Sequence, residues 1–447
     1  MFSKFFLLLT CICSISLYGQ KFATSPFTSY GLGELGTYDN ATFIGYGNAN
    51  VAVIDSLNLN YFNPSSYSFL ATGQPLFSTG ISYKNSLYTE NGNEFSNNLV
   101  GINHFIFAVP FAKRFGLAFG LKPYSRVGYS FYENDIFGTD TVKYAYSGTG
   151  SVNDVFTGFS IKILNAKKHQ LGIGTNFSYL FGSTEKQRTS NLTSQTLGGM
   201  EIDKFQVQSL YYNIGLNYQF HLTKSQKLTL AATYNSKQNI ATTRTEDLYF
   251  LTNVENINTI KDTISSFEQA SNITMPSMLD IGFAYSFRPK VDSSYNKTKI
   301  YQVNVYGSYQ MQKWSEYSEN FTNDTAVKLL NSTKISFGLE YAPHYVYLER
   351  SKAIGYFSRM RYRAGFQMMT LPLERNDIQL KSTCFTAGVS LPITSQRSVS
   401  SLNFGFSYGN NGNGQANSLN ERFIGVNFGI TLAPGAFDKW FRKYKID

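Results

Sequence analysis

From about residue 76 onward, apolar positions alternate with small or polar ones at a period of two. In the last such stretch Ile424, Val426, Phe428, Ile430 and Leu432 alternate with Phe423, Gly425, Asn427, Gly429 and Thr431. The pattern recurs at Leu402/Phe404/Phe406/Tyr408, at Leu171/Ile173/Phe177/Tyr179 and at Ile335/Phe337/Leu339/Tyr341, each interleaved with Gly, Asn, Ser, Lys or Glu. A two-residue period is that of a strand with chemically different faces. One greasy face and one Gly/Asn/Ser face suit a wall that touches lipid on one side and a lumen on the other.

About fourteen such segments follow one another between 76–84 and 421–432, an even number as closure requires. The linkers alternate in length: 85–99, 132–152, 183–204, 239–275, 314–331, 371–381 and 410–420 are long, and 110–114, 165–168 and 222–226 are short. The expected fold is therefore all-β, a transmembrane antiparallel barrel over 76–432 with periplasmic termini. The competing architecture is a soluble exported propeller or tandem sandwich, which would stack its apolar faces against a second sheet.

The N-terminus sets the compartment. Lys4 precedes the apolar run Phe5–Leu17 and a small residue, Gly19, closes it, so residues 1–20 read as a signal peptide cleaved near Gly19 or Gln20. Cys11 and Cys13 leave with it. Cys384 alone remains, too few for an internal disulfide, and is expected to be packed or lipid-facing. Residues 21–75, rich in Gly and poor in apolar residues, are expected to fold inside the lumen as a hatch. The tail 433–447 mixes Phe437, Trp440 and Phe441 with Lys439, Arg442 and Lys443, a composition suited to the periplasmic interface of the membrane. The expected location is the outer membrane of a Gram-negative envelope.

Composition agrees. The 447 residues include 38 Phe and 32 Tyr, yet hydrophobic content is 42% and mean hydropathy −0.22, unlike a bundle of spanning helices. The 39 basic against 29 acidic side chains give +10. Without a long Lys/Arg run, anionic outer-membrane lipid is the expected partner of that charge, and nucleic acid is not. The longest link, 239–275, is acidic and reads as a solvated loop.

Chemistry-bearing motifs are few. His104, His169, His221 and His344 lack metal-ligand spacing and read as interface or turn residues. No G-x-S-x-G elbow is present, so no catalytic residue, metal or cofactor is assigned and an enzyme is not expected. Gly409–Gly414 lacks a following Lys-Ser/Thr and reads as a hairpin tip.

Of the 11 prolines, Pro123 alone falls inside an apparent strand, the third. A proline there removes a ladder hydrogen bond, so either the strand is kinked with a gap beside it or it ends at Lys122. On the eleventh strand Arg359, Arg361 and Arg363 alternate with Met360 and Tyr362, a spacing that aims all three guanidiniums into the lumen. An Arg facing the bilayer midplane would cost ~2–4 kcal/mol. Such a row can hold a carboxylate, or pair with Glu340, Asp280, Asp39 or Asp55; fixing the hatch is its expected role, ligand contact its secondary one.

The signal, the glycine-rich segment with Asn63-Pro64-Ser65, the strand count and the interrupted third strand together resemble the outer-membrane long-chain fatty acid transporter family of hydrophobic-compound channels, as a divergent member. The resemblance spans the mature chain and implies capture of an apolar or amphipathic ligand outside, then lateral exit beside the third strand after the hatch moves. Ala more usually follows Asn-Pro in that family, so Ser65 departs from the pattern. Asn63, Pro64, Ser65, Pro123, Arg359, Arg361 and Arg363 are thus the candidate binding or gating residues. The expected function is passive uptake of hydrophobic or amphipathic, long-chain fatty-acid-like molecules. The alternative is a non-transporting barrel subunit of an outer-membrane protein secretion or surface-assembly complex.

Overall fold

The computed structural model describes residues 25–433 except 30, 36–39, 57, 139, 193–196, 255–256, 290–300, 322–327, 344–354, 376, 395–398 and 416. The expected signal peptide, Asp39, His344 and nearly all of the C-terminal tail lie outside the described residues. Fourteen antiparallel strands close into a barrel. They are β1 (Leu76–Glu90), β2 (Asn93–Val109), β3 (Phe115–Phe137), β4 (Asp140–Asn165), β5 (His169–Leu192) and β6 (Leu197–His221). Next come β7 in two runs (Gln226–Asn235, Gln238–Val254) and β8 in two runs (Ile257–Met275, Met278–Phe287). Then follow β9 (Gln302–Gln312), β10 (Ser332–Ala342), β11 (Arg361–Arg375), β12 (Ile378–Thr394), β13 (Val399–Gly412) and β14 (Asn420–Leu432). β14 returns to β1, from Asn420 opposite Thr89 to Leu432 opposite Phe77, which closes the wall.

Side-chain direction settles between barrel and sandwich. Ile81, Phe159, Phe177, Phe283, Phe337 and Phe385 are each 39–59% exposed, while the residues alternating with them, such as Ser82, Ser160, Asn176 and Ser336, are buried. The apolar rows face outward instead of stacking on one another, the reverse of a soluble β protein and the arrangement lipid requires. Among the described residues no helix is long and apolar enough to cross a membrane; strands alone do so.

Several links expected as loops are strand. Residues 132–136, 140–152 and 183–192 continue β3, β4 and β5, and most of 239–275 belongs to β7 and β8. The alternation fades there because both faces meet water, and pairing needs no lipid to continue. The wall is consequently uneven: tall from β3 to β8 and low elsewhere. β11 begins at Arg361, not at 356, because Tyr356–Arg359 form one 3-10 turn. Pro123 is also not alone. Pro372 sits in β11 where its register shifts between Thr370 and Glu374, and Pro392 lies in β12 beyond the start of β11, so its missing N–H faces no neighbour.

Residues 40–70 fill the lower lumen. A four-residue helix, Ala41–Ile44, is capped by the Asn40 side chain, and a 3-10 helix, Pro64–Phe69, by that of Asn63. Phe43, Tyr46, Val51, Tyr61 and Tyr67 form one apolar core with inward residues of the wall, including Leu76, Ile106, Phe156, Ala231 and Tyr306. The segment is too poor in apolar groups to build a core alone and borrows half of one from the barrel. Wall glycines make room for it. A Cβ on Gly174 would stand 2.6 Å from the Pro64 carbonyl, and one on Gly388 2.8 Å from Gly45 Cα. Gly47 takes φ +69, a turn that L side chains disfavour.

Candidate functional site

The Asn63-Pro64-Ser65 turn is the best-anchored part of the lumenal segment. Asn63 Oδ1 accepts from Ser65 N at 3.2 Å and Ser65 Oγ at 2.7 Å, while Asn63 Nδ2 donates to the Val51 carbonyl at 2.8 Å and the Leu216 carbonyl of β6 at 3.3 Å. Asn217 Nδ2 donates to Ser65 Oγ at 2.7 Å, and the Ser65 carbonyl accepts from Ser160 Oγ at 2.8 Å. Pro64, which needs no N–H partner, opens the helix. Ser65 therefore ties the turn to β4 and β6 through hydrogen bonds that an alanine side chain would halve.

The arginine row divides. Arg361 and Arg363 are buried and point inward; Arg361 Nη1 meets Asp55 at 2.5 Å, and Arg363 Nε meets Glu340 Oε2 at 2.7 Å with Nη1 on Ser390 Oγ at 2.6 Å. Glu340 also lies 3.9 Å from Arg361, and accepts from Asn304 Nδ2 at 2.8 Å. Arg359 is not on the ladder: it belongs to the preceding turn, its guanidinium 5.6 Å from the Tyr356 ring centre. Of the expected partners, Asp55 and Glu340 take the two arginines. Asp280 instead accepts from Gln310 Nε2 at 3.3 Å.

At Pro123 β3 continues and the wall opens. On the β4 side Pro123 opposes Asn153 and Ser125 opposes Val152, so Tyr124 is an extra, bulged residue. On the β2 side the ladder stops much lower: its pairs run only from Val109–Leu117 to Phe105–Leu121. Above them the edges of β2 and β3 part. The N-terminal segment enters this seam, with Glu34 and Leu35 pairing with Arg126 and Ser125, and Thr28 Oγ1 meeting the Gly128 carbonyl at 2.9 Å and its N–H at 3.0 Å. Arg126 spans the seam itself, Nη2 donating to the Ile102 carbonyl of β2 at 2.7 Å. Gly101 makes that possible, since a Cβ there would stand 2.6 Å from Arg126 Nη1.

Above the lumenal segment is a cavity of about 460 Å³. Leu32, Tyr61, Phe62, Tyr124, Met275 and Trp314 supply apolar wall, and Asn98, Asn103, Lys122 and Arg126 carry it to both edges of the seam. Two of its cations are paired, Lys84 with Glu421 at 2.8 Å and Lys122 with Asp154 at 2.6 Å. Cys384 lines it too, buried, with Phe385 next to it turned to lipid; the thiol is packed rather than lipid-facing. His104, expected at an interface, is buried beside the bulge of β2 with a ring nitrogen 2.8 Å from Ser78 Oγ.

Sequence reasoning singled out Pro123 but not Arg126, Gly101 or residues 25–35. An Arg three positions past a proline carries no signal until the neighbouring strand is known to end early. Among the described residues no cluster of three or more His, Cys, Asp or Glu is placed to hold a metal ion.

Solved barrels share this architecture. The CymD monoaromatic hydrocarbon channel aligns over 93% of this chain and 100% of its own at 14% identity and TM-score 0.53. The toluene transporter TodX of Pseudomonas putida aligns over 90% and 99% at 15% identity and TM-score 0.54. At these identities the likeness is one of fold. No curated protein sequence matches the chain. The model of the BamG family, by contrast, matches residues 1–447 from end to end, and the chain belongs to that family.

Proposed function

We propose that the barrel is an outer-membrane channel for hydrophobic or amphipathic small molecules, which enter the upper cavity and leave sideways through the seam between β2 and β3. The observation that carries this reading is the continuity of the cavity with both seam edges, while residues 40–70 pack the direct route downward. In this reading the long hairpins face outward, both termini lie in the periplasm, and residues 40–70 act as the hatch. The volume falls within the roughly 300–1,000 Å³ of small-molecule sites. Because Lys84 and Lys122 already face carboxylates, and Arg361 and Arg363 are committed below, a neutral or weakly polar ligand fits the cavity better than a free carboxylate. The hydrocarbon channels CymD and TodX point the same way.

Uptake of labelled toluene and of a labelled long-chain fatty acid, in cells with and without the protein, tests both halves. Faster toluene entry supports the channel, faster fatty-acid entry alone moves the ligand class to amphipaths, and equal entry of both removes transport. Crosslinking Gly101→Cys to Arg126→Cys in a Cys384→Ser background closes the seam, and unchanged uptake in that protein removes the lateral route.

A second reading, a non-transporting subunit of a secretion or surface-assembly complex, draws on the bonding of the lumenal segment, which wall strands hold by two ion pairs to buried arginines and a ring of hydrogen bonds. Co-purification separates the two. A stoichiometric large partner with no uptake favours the subunit, and an isolated barrel carrying an apolar ligand favours the channel.

A further inference from the structure

The upper run of β8 is paired on one side only. Its ladder with β7 extends from Ile257–Val254 to Met275–Gln238, shifting register between Ile260 and Asp262 and between Thr263 and Ser265. On its other edge the described residues offer only Ser318 and Glu319, opposite Thr274 and Ile273, followed by the Asn320 N–H on the Asn272 carbonyl. From Ile257 to Ala270 that edge meets no strand among the described residues. Residues 261–268 are all exposed, and Ile260, Ile264 and Phe267 stand 52–56% open.

An edge of this kind is a template for another strand. Proteins that do not use such an edge blunt it with lysines or proline; this one has Lys261 alone and no proline, and its bulges lie nearer the tip, leaving Ser265–Ala270 in regular register. Lipid is not what covers it. Phe267 is twelve positions along β8 from the belt residue Leu279, roughly 40 Å of strand at ~3.3 Å per residue, beyond a belt ~25 Å tall.

Charge selects the occupant. Residues 238–275 hold two basic and five acidic side chains, in a chain whose net charge is +10. Arg244 is committed to Asp203 at 2.7 and 2.9 Å, and Asp247 sits against Ser266 on the edge strand itself at 2.6 Å. We propose that this edge docks an extended segment of a partner protein in which Lys or Arg alternates with apolar residues, added as a further strand beside β8. A second copy of this chain would set acid against acid at the same edge, and an anionic lipid surface is repelled for the same reason. The inference is independent of transport through the lumen.

Hydrogen exchange on the full-length protein in lipid nanodiscs tests it, with a short synthetic peptide alternating valine and lysine as probe, against a valine–glutamate peptide and a proline-interrupted lysine peptide. The expected result is about tenfold or greater slowing of amides in 263–270 with the valine–lysine peptide alone, and reversal of that preference in Asp262→Lys/Glu268→Lys, whose side chains are exposed. No slowing, or equal slowing by the lysine and glutamate peptides, overturns the proposal. So does slow exchange at this edge without peptide that grows with protein concentration, which would make the occupant a second copy.

Discussion

Arg126 Nη2 donates to the Ile102 carbonyl at 2.7 Å, across a stretch where β2 and β3 no longer share a ladder. A side chain thus does for one carbonyl what a neighbouring strand does for many, and the bond can break without unzipping backbone pairs. Arg126→Ala is expected to loosen the seam: amide exchange in 99–104 rises by about tenfold, the equivalent of ~1.4 kcal/mol, and toluene entry becomes faster. Arg126→Lys, which loses the planar fork, falls between. Unchanged exchange in both variants would show that the N-terminal segment alone holds the seam.

Ser65→Ala removes a hydroxyl that donates to Asn63 Oδ1 and accepts from Asn217 Nδ2. The expected loss is about 1–3 kcal/mol in the docking of residues 40–70, read as earlier proteolysis in that segment while the barrel keeps its heat-resistant migration on a gel. Asn217→Ala should do less, because Ser65 keeps its bond to Asn63.

Breaking the Arg363–Glu340 pair by Glu340→Ala leaves a buried guanidinium with only Ser390 for company. A cost of about 3–5 kcal/mol is expected in urea unfolding, whereas Arg363→Met with Glu340→Met, which removes both charges, should recover most of it. Equal destabilisation in the single and double variants would mean that packing volume, not charge, matters at this position.

Cys384, the sole cysteine of the mature chain as read from the sequence, faces the cavity. A small apolar maleimide should label it slowly, a charged one more slowly still, and saturating toluene should reduce labelling severalfold. Labelling indifferent to toluene would place the ligand elsewhere.

Gly174→Val puts bulk where the Pro64 carbonyl stands. The barrel should still close, since the β5 backbone is unaltered, but residues 60–70 should become protease-sensitive. Full protection in that variant would mean that the turn can dock elsewhere on the wall.

The two-residue period by itself determined the strands, their number and which side chains meet lipid, because alternation across a wall between oil and a packed or wet lumen is a local property of each strand. Ile424 and Gly425 declare their faces whatever lies next to them. The sequence also marked Pro123 as a break and Arg361 and Arg363 as inward, since a missing N–H and a lipid-averse charge are properties of single residues. Only the tertiary structure decided that the third strand runs on past its proline, that β2 and β3 part above Phe105 and Leu121, and that Arg126 bridges them. Those facts depend on register between strands and on the route of residues 25–35, which bury few side chains and leave no period to read. The glycines of the inner face had the same history: legible as small, they acquired a reason only when the backbone of residues 40–70 was laid against them.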